Sequence, residues 1–83
     1  MKNYLPIGSV VLLKGGYTKL MVVGYAKINN DINDDHDYIG CVYPLGLMSF
    51  KKYASFNEED IENVVYKGYE DDDFRNVVEI MNR

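Results

Sequence analysis

A chain of 83 residues has room for one domain with a small core and little space for a large enclosed cleft. With 47% hydrophobic and 13% aromatic residues it has enough apolar surface to fold rather than stay disordered. The net charge of −4 opposes binding to phosphate backbones, the lone Cys41 rules out an internal disulfide or a two-cysteine metal site, and no apolar run approaches the ~18 residues that span a bilayer. Nucleic acid and membrane are therefore not expected partners. A reducing, cytoplasmic setting without an export signal is the expectation.

In chain order, the first apolar run, Val10 to Leu13, and the second, Leu20 to Val23, are short and rich in branched aliphatic residues, which suits buried strands better than helices. Gly15 and Gly16 between them can take the positive φ of a tight hairpin turn. Lys27 to Asp37 is dominated by Asn and Asp and reads as a long exposed loop. Tyr38 to Tyr43 alternates as a strand, with Ile39, Cys41 and Tyr43 on one face and Tyr38, Gly40 and Val42 on the other, and Pro44 and Gly46 end it. The stretch Leu47 to Phe56 has no clean period and reads as a loop leading into a short strand from Tyr53 to Phe56.

Asn57 followed by Glu58, Glu59 and Asp60 predicts a capped helical turn, since an Asn side chain accepts from free N–H groups and acids favour the positive end of the helix dipole. A strand from Glu62 to Tyr69 should follow, with Gly68 marking a bulge. The period then changes. Phe74, Val77, Val78 and Met81 fall at i, i+3, i+4 and i+7, the apolar stripe of a C-terminal helix that has Asp71, Asp72 and Asp73 in or before its first turn and must dock on the sheet to persist. The fold class expected for residues 1–83, taken as a single domain, is mainly β: an antiparallel sheet of four to five strands or an SH3-like open barrel, with one short helical turn and one helix.

The candidate chemistry is thin. Asp31, Asn33 and Asp35 have the alternate spacing of calcium ligands, but His36 stands where the calcium loop needs glycine and Val42 where it needs a bidentate Glu. His36 among Asp34, Asp35 and Asp37 lacks a second His or Cys at ligand spacing, and Cys41 lacks a neighbouring base, so a surface histidine and a buried thiol are expected. Lys14 with Gly15 and Gly16 precedes a strand rather than opening a helix and is no phosphate loop. No cofactor, metal site or catalytic set is expected. Of the eight tyrosines, about five should serve the fold, leaving the rest for a partner. Leu47, Met48, Phe50 and Tyr53, large and apolar in an irregular segment, are the expected partner-binding residues.

Several phrases resemble one family. Leu5 to Gly16 (LPIGSVVLLKGG), Asp37 to Pro44 (DYIGCVYP) with Gly46, Phe56-Asn57 with Asp60-Ile61, and Val64 to Glu70 (VVYKGYE) are similar to the segments of domain of unknown function 4176, a small family of Gram-positive bacteria. The resemblance runs from Leu5 to Asp73. It departs at Leu45, where the family usually carries an acid, and in the NNDINDD loop, which does not align. It implies an accessory protein or chaperone, encoded beside an LXG-domain toxin and engaging that polypeptide before type VII secretion; with no catalytic set in the sequence, a non-enzymatic monomer or weak homodimer is expected. An immunity protein blocking the toxin domain and an SH3-like ligand-binding module are the alternatives. The second would want a basic or aromatic groove that the net charge opposes.

Overall fold

The computed structural model describes residues 1–32 and 34–83. Among these residues five strands, β1 (Val10–Leu13), β2 (Lys19–Gly24), β3 (Tyr38–Val42), β4 (Ala54–Phe56) and β5 (Ile61–Tyr66), form one antiparallel sheet in the order β4-β3-β2-β1-β5, followed by one helix, α1 (Asp72–Met81). Short 3-10 helices cover Ala26–Ile28 and Glu58–Asp60. The sheet's two edge strands, β4 and β5, are consecutive in the chain and joined only by the Glu58–Asp60 turn. A segment this short cannot cross a flat five-stranded sheet, whose edges stand roughly 19 Å apart, so the sheet must curl to bring its edges together. The sheet is open: no ladder joins β4 to β5 among the described residues.

The first hairpin forms where the apolar runs and glycines place it. Gly15 takes φ +75°, and the Gly16 N–H closes the turn on the Leu13 carbonyl at 3.0 Å. Alternation then sends Val11, Leu20 and Val22 into the core with Tyr4, Tyr25, Tyr38, Phe56 and Met81. Val10, Ile39 and Cys41 are also buried but lie outside that cluster, on the other face of their strands, so β3 is covered on both sides. Cys41 is a buried free thiol, as expected.

The helical turn after Asn57 forms as expected. Asp60 reaches back to accept the Asn57 N–H at 2.8 Å, while the Asn57 side-chain oxygen takes the Asp37 N–H at 2.9 Å and ties the turn to β3. Helix α1 is capped by Asp71, which accepts from the Phe74 N–H at 3.0 Å. Its stripe docks as predicted: Met81 is 1% exposed within the core cluster, and Phe74, Val77 and Val78 pack against it. The chain ends are latched beside it. Asn82 donates to the Lys2 carbonyl at 2.8 Å and accepts from the Lys2 N–H at 3.1 Å.

Three expectations are corrected. The fifth strand ends at Tyr66, and its irregularities fall at Glu62 and Val65, where two steps on β5 match one on β1. Gly68 lies beyond the strand and is required for another reason: a Cβ there would sit 2.4 Å from the Ile7 carbonyl oxygen, and its N–H donates to the buried Ser9 hydroxyl at 2.9 Å. Of the tyrosines, three are buried rather than five, namely Tyr4, Tyr25 and Tyr38. Tyr17, Tyr43, Tyr53, Tyr66 and Tyr69 are exposed, because strand ends, turn tips and the edge strand β5 give a ring nothing to pack under.

Candidate functional site

The three buried tyrosines fix the platform on which the loops stand. Tyr4 meets Tyr25 and Tyr38 edge-on, with centroids 5.6 and 6.0 Å apart, and Phe56 stacks on Tyr38 at 5.4 Å. Their hydroxyls hold the N-terminal segment. Tyr25 donates to the Leu5 carbonyl at 2.5 Å, and Tyr38 accepts the Leu5 N–H at 2.8 Å while donating to Glu58 at 2.5 Å. Burial pushes the Tyr25 phenol up to about 12, and burial together with the Glu58 bond raises Tyr38 as well, so both stay protonated donors across the ordinary pH range.

From the end of β3 the chain makes a tight turn, with the Gly46 N–H donating to the Val42 carbonyl at 2.8 Å. Gly46 takes φ +80°, and the Tyr43–Pro44 peptide is cis. A second turn follows at Ser49: the Lys52 N–H bonds the Ser49 carbonyl at 3.0 Å and the Lys51 N–H bonds the Ser49 hydroxyl at 3.2 Å. This turn thrusts Phe50 into solvent at 91% exposure, with Met48 at 64%, Leu47 at 47% and Tyr53 at 38%. All four residues expected to form a partner surface are thus on the outside, along with Leu45. Phe50, Lys51 and Tyr53 form one wall of a shallow groove whose other wall is Asn29, Asp31 and Ile32. The second wall belongs to a loop that sequence reading assigned only to solvent. Ile32, apolar within a run of Asn and Asp, was the signal for it.

On the neighbouring stretch, Asp34 accepts from the Ser55 hydroxyl at 2.7 Å and from the His36 N–H at 2.8 Å, and pairs with the His36 imidazole. The Ser55 bond first, then the His36 bonds, push the Asp34 carboxyl down to about 2, and Asp34 raises His36. Ser55 donates straight to the carboxylate, and Nδ1 of His36 faces the same carboxylate, so the imidazole does not bond the hydroxyl. Chemically this is a staple between loop and strand β4. His36 is exposed, as expected for a surface histidine, and no three His, Cys, Asp or Glu side chains converge as a metal set among the described residues. Asn33, one of the three residues at calcium-like spacing, lies outside the described residues. Among the described residues no helix is long and apolar enough to cross a membrane.

Fold and surface together define a small β-sheet protein that presents an exposed apolar loop. The chain matches domain of unknown function 4176 over residues 4–77 and belongs to that family. Comparison with curated proteins and with solved structures finds no match.

Proposed function

We propose that the chain is a non-enzymatic accessory protein or chaperone that binds the polypeptide of an LXG-type toxin in the cytoplasm, ahead of type VII secretion. The partner class is what the resemblance of the sequence motifs implies, and the observation that carries a binding role is the exposure of Leu47, Met48, Phe50 and Tyr53 on one short segment. Large apolar side chains held out by a hydrogen-bonded turn have a solvation cost that a partner relieves. We further read the curled sheet as an open SH3-like barrel, supported by the order β4-β3-β2-β1-β5 and the single turn linking its edges. The protein then acts as a monomer or weak homodimer whose sheet is scaffold and whose loops engage the partner.

The test is copurification with the product of the neighbouring toxin gene, truncated domain by domain. Met48→Asp combined with Phe50→Asp should abolish capture, since truncating a true anchor costs roughly 2 kcal/mol or more and an aspartate there adds a desolvated charge. Capture of the toxic C-terminal domain alone, with loss of toxicity, replaces the export role by immunity.

A further inference from the structure

We infer that the Ser49 turn docks an amphipathic helix of a partner polypeptide, with the helix's apolar stripe on Leu47, Met48, Phe50 and Tyr53 and a border of aspartates or glutamates on Lys51 and Lys52. This rests on the binding role proposed above and names the chemistry of what is bound. The charge pattern gives the sign. All 13 acids of the chain lie in residues 31–37 and 58–79, and the stretch 38–57 carries Lys51 and Lys52 with no acid at all. Lys2, Lys67 and Arg75 pair with Asp37, Glu70 and Asp72, whereas Lys51 and Lys52 make no ion pair among the described residues. Two adjacent cations flanking the most exposed aromatic side chain but one thus stand unneutralised in an acidic protein, and carboxylates beside an apolar anchor complement them.

The groove sets the conformation and orientation of the occupant. Its walls are side chains of two irregular loops, and the adjoining edge strand β4 has only three residues, too short an edge to hold a docked strand of ordinary length. A docked segment must satisfy its own backbone, which a helix does internally. Asp31 on the far wall repels acids, so the acidic border falls on the Lys51–Lys52 side and the Asn29–Asp31 side takes neutral or basic residues. An apolar loop beside lysines also suits an anionic membrane surface. The net charge of −4 and Asp31 within the groove favour the protein partner.

The experiment titrates the full chain into fluorescein-labelled synthetic helices of about 18 residues, long enough to be helical, that share one Leu stripe but are flanked by Glu in one peptide and Lys in the other. Vesicles containing phosphatidylserine are the third probe. The Glu-flanked peptide should bind at least about tenfold more tightly than the Lys-flanked one, with affinity falling as salt rises. Lys51→Glu with Lys52→Glu should invert that preference, and Phe50→Asp should abolish both interactions, each variant keeping the wild-type melting temperature. Lys51→Ala with Lys52→Ala should level the two peptides. Equal binding of the two peptides by the wild type, no binding of either, a preference unchanged by charge reversal, or tighter binding to the vesicles overturns the inference. Loss of toxin capture with the peptide preference intact removes the proposed partner and leaves this surface standing.

Discussion

Gly68→Ala tests how the C-terminal third is fastened to the start of the chain. The added methyl would lie 2.4 Å from the Ile7 carbonyl oxygen, 3.0 Å from the Ser9 nitrogen and 3.2 Å from the Gly8 carbonyl carbon, all of them backbone atoms that no rotamer change can move aside. Relief requires the two segments to separate by about 1 Å, the shortfall from ordinary contact. Separation also stretches the bond from the Gly68 N–H to the Ser9 hydroxyl, now 2.9 Å, and Ser9 is fully buried. A forced methylene in a packed site costs about 1 to 3 kcal/mol, and leaving a buried polar group unsatisfied costs about 1 to 3 kcal/mol. A total near 2 to 4 kcal/mol allows for partial relaxation. For a domain of this size that lowers the melting temperature by roughly 10 to 25 °C, read by circular dichroism. Gly16→Ala is the control, since its new methyl would meet nothing closer than the Leu13 carbonyl oxygen at 3.4 Å. A Gly68→Ala melting point within about 4 °C of wild type, roughly 1 kcal/mol or less, would refute the close-approach argument.

Met81→Ala should cost about 2 to 4 kcal/mol, because the side chain is 1% exposed within the core, and deleting residues 72–83 should cause aggregation in light scattering; a melting curve unchanged by either rejects the docked helix. Met48→Asp with Phe50→Asp should leave the unfolding free energy from denaturant titration within about 0.5 kcal/mol of wild type, and unfolding of this variant returns both residues to the core. Cys41, 3% exposed, should react with a thiol reagent only as the protein unfolds, and immediate labelling contradicts its burial. By NMR, His36 should titrate above 6.5 and return towards that value in Asp34→Asn. A raised histidine contributes below its unfolded value and loses that contribution as pH rises through its folded one. Asp34, lowered to about 2, contributes above 3.8 and loses that as pH falls towards 2, so their pairing is complete only between these limits.

Periodicity and punctuation alone determined most of the elements. Val10 to Leu13 is β1 as predicted, the glycine turn follows it, and the Phe74–Met81 stripe is the docked face of α1, because binary pattern, turn glycines and caps are local properties that act before any long-range contact exists. The exposure of Leu47, Met48, Phe50 and Tyr53 was legible for the same reason: a segment without a period has no face to bury. What only the tertiary structure decided are matters of who meets whom. Which tyrosines are buried depends on whether a strand is central or at an edge, so Tyr38 on β3 is enclosed while Tyr66 on β5 is not. Gly68 is fixed by the backbone of Ile7 to Ser9 some sixty positions earlier, and the groove wall at Ile32 exists only because the Ser49 turn comes to rest beside it. Sequence spacing carries no record of such neighbours, since they are set by the curl of the sheet and not by the order of the residues.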